Sequence, residues 1–219
     1  MFRFKRFEIE QDRCAMKVGT DGVLLGAWAR GGSTILDVGT GTGVVALMMA
    51  QRYPEVSVTA IDIDSEAVEQ ARENICHSPF ADRVDVMLQR VQDHEGCYDA
   101  IVSNPPFFID SLAAPDRQRR MARHADTLTY GELMHDAARL LSMDGELSVV
   151  VPFDYRRRME DEAAFCGFFP CRVCGVKTVD RKPVRRYLLS FRKRPCTCVT
   201  ESLTIGDARY QELTQDFYL

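Results

Sequence analysis

Thr34-Ile35-Leu36-Asp37-Val38-Gly39-Thr40-Gly41-Thr42-Gly43 is an apolar run that ends in three glycines at alternate positions, and residues 44–52 follow it as a helix-forming stretch. Strand, glycine-rich turn and helix in that order form the arrangement that lets backbone approach a nucleotide-like ligand closely, because glycine has no side chain in the way. The spacing separates two kinds of ligand. A dinucleotide fingerprint spaces its glycines G-x-G-x-x-G and seats a pyrophosphate on the helix N-terminus. Here the pattern is G-x-G-x-G with Asp37 two residues before the first glycine. That fits S-adenosylmethionine, a nucleoside carrying an ammonium and a sulfonium but no phosphate.

Working outward, residues 56–61 read as a second strand that runs into Asp62-Ile63-Asp64. A carboxylate about twenty residues past the first glycine can accept from both hydroxyls of a ribose. Ser65-Glu66-Ala67-Val68 opens the next helix with Ser65 as its cap, and residues 84–88 and 98–103 are the third and fourth strands. The alternation predicts an α/β fold, a doubly wound and mostly parallel sheet. Upstream, residues 4–11 alternate as a short strand, and residues 20–28 form a capped helix with an apolar face. Downstream come a helix over 130–141 stopped by Gly145, a fifth strand over 147–151, and a helix opened by Asp154 and Tyr155. Residues 172–179 and 185–193, joined by Asp180-Arg181-Lys182-Pro183, form an antiparallel pair at the sheet's end, and the tail from Val199 adds a short strand and a helix. With no repeat or low-complexity linker, a single domain over residues 1–219 is expected.

The strand over 98–103 leads into Asn104-Pro105-Pro106-Phe107. Open α/β sheets place their ligands at the carboxyl ends of strands. Two prolines stiffen this loop and remove its donors. The Asn104 side-chain oxygen and the Pro105 carbonyl can then take both hydrogens of a planar amino group, while Phe107 offers a face for stacking on a ring. An adenine amine or a carboxamide suits such a loop.

Composition bounds the partners. The 219 residues are 46% apolar, with 28 basic and 32 acidic side chains for a net charge of −4, so the molecule as a whole is no polyanion binder. Any nucleic-acid contact has to be local, and residues 108–124 supply a basic loop with Phe108, Arg117, Arg119, Arg120, Arg123 and His124. No run of about 18 apolar residues could span a membrane and no secretion signal opens the chain, so a cytoplasmic protein is expected. In that compartment the eight cysteines are read as thiols. Cys171, Cys174, Cys196 and Cys198 have the spacing of a nominal four-thiolate zinc site. The odd spacing of Cys171 and Cys174 on a strand points them to opposite faces, which favours small buried side chains, and no metal is expected.

Residues 35–43, Asp62 and Asn104-Pro105-Pro106-Phe107, in this order, resemble a class I S-adenosylmethionine-dependent methyltransferase of the amino-group type. Residues 12–28, Ala122-Arg123-His124 and the closing Asp216-Phe217-Tyr218-Leu219 narrow the resemblance to the bacterial valine-tRNA adenine-N6 methyltransferases, nearly end to end. The resemblance implies a seven-stranded Rossmann-like sheet whose first 32 residues include a cofactor-covering segment. It also implies that Asp37, Gly39, Thr40, Gly41 and Gly43 hold the amino-acid end of S-adenosylmethionine and Asp62 its ribose, with Ile63 packing on its adenine. Lys17, Gly19 and Thr20 would close over the cofactor, and Asn104, Pro105, Pro106 and Phe107 would hold the target base. Many relatives carry an acid just after the third strand. This chain has Gln89-Arg90-Val91-Gln92 before Asp93, which leaves adenine recognition to backbone groups or to Asp93.

The same acceptors fit two enzyme classes, one acting on adenine in tRNA and one on a glutamine amide of a protein factor. Glutamine-modifying enzymes generally carry an extra amino-terminal domain, and only some thirty residues precede the first sheet strand here. A third reading is a protein that binds the cofactor without turnover. Intact Asn104 and Asp62 speak against it.

Overall fold

A computed structural model describes residues 1–14, 16–106 and 128–218 of the chain. In chain order, β1 (Phe2–Arg3) and β2 (Glu8–Ile9) form a small antiparallel pair and lead to α1 (Thr20–Trp28). Next come β3 (Thr34–Val38), α2 (Val44–Arg52), β4 (Ser57–Asp62), α3 (Ser65–Cys76), β5 (Val84–Leu88) and β6 (Tyr98–Ser103). After residue 127 follow α4 (Tyr130–Leu140), β7 (Leu141–Pro152), α5 (Arg156–Phe165), β8 (Phe169–Lys177), β9 (Arg186–Arg192), β10 (Val199–Thr204) and α6 (Ala208–Thr214).

One sheet has the strand order β10-β8-β9-β7-β6-β3-β4-β5. β3 to β7 run parallel, β9 is antiparallel to both β7 and β8, and β10 lies parallel to β8. The sheet has eight strands, one more than the seven expected, because the tail strand β10 pairs with β8 instead of standing apart. Alternating side chains divide two cores. Ile35, Val58, Ala60 and Val102 pack with α1, α2 and α3 through residues such as Leu24, Met48 and Val68. Leu36, Val38, Ile61 and Ile101 pack on the other face with Leu133 and Met134 of α4 and Met159 of α5. Both faces of the parallel strands are therefore covered, which is why they read as nearly continuous apolar runs.

Three local expectations are corrected. Only Glu8 and Ile9 of residues 4–11 are strand; residues 4–7 turn between β1 and β2, with Phe4 and Phe7 stacked on each other at 4.7 Å. Asp64, not Ser65, caps α3, its carboxylate accepting from the Glu66 N–H at 3.0 Å. Gly145 does not stop a helix: α4 ends at Leu140 and Gly145 lies inside β7. A Cβ at Gly145 would sit 2.9 Å from the Asp99 carbonyl oxygen of β6, so glycine there permits a close approach of two backbones, beside a register shift between Tyr98 and Ala100.

The chain's two terminal regions meet. Phe4 stacks on Tyr218 at 6.2 Å, the Lys5 N–H donates to the Phe217 carbonyl at 2.8 Å, and Phe217 is buried in the first core. Among the described residues no helix is long and apolar enough to cross a membrane.

Candidate active site

β3 is flanked by β4 on one side and β6 on the other, so the strand order reverses there and leaves a crevice at the carboxyl ends. The glycine turn forms its floor. The N–H groups of Gly39 and Thr40 donate to the Ile61 carbonyl, at 2.9 and 3.1 Å, and the Gly41 N–H donates to Asp62 Oδ2 at 2.8 Å. Gly39 and Gly41 have φ of +72° and +54°, and no atom lies within 4 Å of where a Cβ would stand on either. That bare surface faces the cleft, with room for a ligand against the backbone.

Two carboxylates flank the turn. Asp62 Oδ1 also accepts from the Asp64 N–H at 3.0 Å, so each oxygen is oriented by one backbone bond and keeps capacity for a ligand hydroxyl. Asp37 is 1% exposed and accepts from the Thr40 hydroxyl at 2.7 Å. Burial raises its carboxyl to about 7, against the opposing hydrogen bond from Thr40, and nearby Asp62 adds to the rise. Ile63 is 47% exposed and lines the cleft, an apolar surface available to a flat ring.

The rim on one side is the segment before α1. Buried amides on α3 hold it: Asn74 accepts from the Glu10 N–H at 2.8 Å and donates to the Glu10 and Thr42 carbonyls, both at 2.9 Å. Gln70 accepts from the Arg13 N–H at 3.2 Å, and Gln11 from the Val18 N–H at 2.8 Å. Cys14, Met16, Lys17, Val18 and Gly19 are thereby brought to the cleft. Thr20 is not among the lining residues; it begins α1, which presents Gly22 instead. Gln70 and Asn74 were missed, although polar residues four apart on an otherwise apolar helix face are a readable signal. The Cys14 thiol is pushed up to about 11, first by burial and then by Asp62, so it stays protonated.

The opposite wall is Gln89, Arg90, Val91 and Gln92. Asp93 is exposed and outside the cleft, because residues 91–93 turn as a 3-10 helix that carries it away. Side-chain hydrogen bonds shape this wall. The His94 Nδ1–H donates to Gln89 Oε1 at 2.8 Å, the Tyr98 hydroxyl donates to His94 Nε2 at 2.8 Å, and Gln89 Nε2 donates to the Asp93 carbonyl at 3.1 Å. Burial, then the nearby Arg139, hold His94 below its usual range, which keeps this neutral tautomer. Arg139 of α4 donates to the carbonyls of His94 at 2.6 Å and Val91 at 3.1 Å, itself steadied by Asp136. The Gln89 amide is thus engaged within the protein, and Arg90, Val91 and Gln92 complete the wall.

At the end of β6 the Ser103 hydroxyl donates to the Val38 carbonyl at 2.8 Å and locks the two strands that border the crevice. Asn104 and Pro106 line the cleft, whereas Pro105 is buried beneath them. Asn104 Oδ1 is buried without a hydrogen-bond partner among the described residues, and its Nδ2 lies 3.8 Å from the Met16 sulfur. A buried acceptor left unsatisfied is costly and marks where a donor is meant to arrive. Phe107, Phe108, Arg117, Arg119, Arg120, Arg123 and His124 lie outside the described residues. Leu128, beyond them, lines the cleft.

Cys171 and Cys174 are buried and Cys196 and Cys198 exposed. Burial first, then the nearby carboxylates Glu146 and Glu201 respectively, push the Cys171 and Cys174 thiols up to about 12. Among the described residues no group of three or more His, Cys, Asp and Glu is placed to hold a metal ion.

The methyltransferase small domain family matches residues 19–166. The tRNA1(Val) (adenine(37)-N6)-methyltransferase of Bacteroides thetaiotaomicron is 44% identical, over 100% of this chain and 97% of that protein. The protein of the same description from Parabacteroides distasonis is 46% identical with the same coverage. Among solved structures, a predicted O-methyltransferase from Agrobacterium tumefaciens superposes with a TM-score of 0.72, covering 90% of this chain and 96% of that one. At 15% identity that likeness speaks for the fold alone.

Proposed function

The chain belongs to the methyltransferase small domain family, and on that premise we propose that it transfers the methyl group of S-adenosylmethionine to an exocyclic adenine N6 in tRNA, at the adenine next to the anticodon (position 37) of valine tRNA. It does so in the cytoplasm. The observation that carries this reading is Asn104, which lines the cleft at the carboxyl end of β6 and whose Oδ1 is buried with no hydrogen-bond partner among the described residues.

S-adenosylmethionine supplies a methyl group already activated on a sulfonium. The residues present fit it: Asp37 is a buried carboxylate without a cation among the described residues, Asp62 has oxygens with capacity for ribose hydroxyls, Ile63 is an exposed apolar face, and the glycines leave bare backbone. The target amine conjugates its lone pair into the ring and is a poor nucleophile. Asn104 Oδ1 and the Pro105 carbonyl accept its two hydrogens and favour the pyramidal form in which the lone pair is free to attack. The hydrogens become more acidic as nitrogen gains positive charge, so these acceptors bind the transition state better than the ground state. Positioning and fixed dipoles supply the acceleration, and no side chain has to exchange a proton with the amine before transfer. A base in folded RNA has to leave its stack to reach the cleft. The proposed contacts of Phe107 and Phe108 with that base, and of Arg117, Arg119, Arg120, Arg123 and His124 with phosphates, complete the reading.

Nucleoside mass spectrometry tests it. Incubation with S-adenosylmethionine and unmodified valine tRNA is expected to yield N6-methyladenosine in the anticodon-loop fragment. Methylation of a glutamine amide in a protein factor, with none in tRNA, would reject the proposal.

A further inference from the structure

The sheet edge that carries the cleft continues past Asn104. Ser103 lies opposite Val149 of β7, which ends at Pro152, and Pro152 in turn lies opposite Arg186 at the start of β9. At about 4.8 Å per strand, β9 lies about 10 Å to the side of β6, and its start is level with a point three residues beyond Ser103. On this edge the Phe153 ring stacks against Tyr187 at 6.0 Å and 28°, and the Arg156 guanidinium sits over the Tyr187 ring at 4.5 Å. Phe153 is 51% exposed and belongs to neither core.

The turn leading into β9 is basic. Residues 177–187 contain five cations and one carboxylate, in a chain whose net charge is −4. That carboxylate, Asp180, accepts from the Thr204 hydroxyl at 2.6 Å. Arg181, Lys182 and Arg185 are exposed and, among the described residues, have no ion-pair partner. An exposed ring backed by a second ring and a guanidinium, beside unpaired cations, is the combination that binds unpaired nucleotides: bases stack on the ring and phosphates meet the charge.

We propose that Phe153, backed by Tyr187 and Arg156, stacks a nucleotide of the substrate RNA loop beside the target base, while Arg181, Lys182 and Arg185 contact its phosphates. The inference rests on the tRNA reading above and uses residues other than those of the stretch 108–124. It predicts that recognition extends from the cleft across β7 towards β9.

The test compares the parent, Phe153→Ala, Phe153→Trp and the triple variant Arg181→Gln/Lys182→Gln/Arg185→Gln. Each is titrated with transcribed valine tRNA at several salt concentrations and, separately, with S-adenosylhomocysteine; methylation is measured alongside. Phe153→Ala is expected to raise the Kd for tRNA about tenfold, within the range of one lost base-aromatic stack, with Phe153→Trp close to the parent. The triple variant should flatten the slope of log K against log salt by about two. Affinity for S-adenosylhomocysteine should stay within twofold throughout. Variants that bind tRNA like a parent that methylates it overturn this inference alone. Equal losses for both ligands also overturn it, since they indicate damaged packing. A parent that neither binds nor methylates tRNA overturns the function and this surface with it.

Discussion

Asp37 and Glu146 are both buried carboxylates of the central sheet, at 1% and 4% exposure, and the chain treats them in opposite ways. Arg172 donates to Glu146 at 2.7 and 3.1 Å, Arg192 donates at 3.0 Å, and Arg30 stands 3.8 Å away. Arg172 is itself held over the Trp28 ring at 3.8 Å. Burial pushes the Glu146 carboxyl up, but the arginines outweigh it and hold the group below its usual range. Asp37 has the Thr40 hydroxyl and no cation among the described residues, so burial wins and the group rises to about 7. A charge in low dielectric is tolerable only when compensated. The protein completes the compensation for Glu146 and leaves it open for Asp37, in the cleft where an ammonium would bind.

The contrast can be broken most sharply from the completed side. Glu146→Ala strands the arginines around it and is expected to cost about 3–5 kcal/mol of stability in urea denaturation. A loss below 1 kcal/mol would mean that the cluster is solvated and not structural. On the open side, Asn104→Ala should leave stability unchanged yet slow single-turnover methylation of tRNA about a hundredfold or more, about 3 kcal/mol of barrier, with both ligands still bound. A rate within threefold of the parent would remove Asn104 from the chemistry.

Asp62→Ala removes the proposed ribose acceptor and also frees the Gly41 N–H that it anchors. A loss of about 1.5–3 kcal/mol in calorimetric titration with S-adenosylhomocysteine is expected, at least about tenfold in affinity. The smallest effect sharpens the comparison through pH. A carboxyl raised from 3.8 to about 7 on folding binds a proton more tightly in the folded protein, so Asp37 withdraws stability as pH rises between those values. Glu146 has the opposite sign: its stabilisation is present at neutral pH and is lost as pH falls through its depressed folded value. A bound ammonium favours ionised Asp37. Affinity for S-adenosylhomocysteine should therefore fall by up to about tenfold per unit below pH 7, or 1.36 kcal/mol, and level off above it. Asp37→Asn should bind more weakly and show no such dependence.

What the sequence disclosed follows the same divide. Gly39, Gly41, Asp62 and Asn104 act through backbone conformation and short-range position, so a linear pattern carries them. Glu146 with Arg172 and Trp28, or Arg139 with the carbonyls of Val91 and His94, meet only after the sheet has closed, and no spacing announces them. Gly145 was misread as a helix stop because its reason is the backbone of Asp99 across the sheet. Asp93 came from the resemblance, as the first acid after the third strand beside the alternative of backbone groups, and it ends a 3-10 turn that leaves it exposed outside the cleft. The seven-strand expectation came from a resemblance, and the eighth strand is a pairing between β8 and β10 that composition does not reveal.

The meeting of the chain's two terminal regions sets an order of events during synthesis. The Lys5 ammonium donates to the Gln215 carbonyl at 2.6 Å across 210 residues of sequence, next to the Phe4–Tyr218 stack. At about 5–20 residues per second, a ribosome makes these partners about 10 to 40 s apart. The turn of Phe4 and Phe7 is therefore made well before its partners Phe217 and Tyr218, whereas the rim of the cleft, held by Gln70 and Asn74 of α3, does not wait for them.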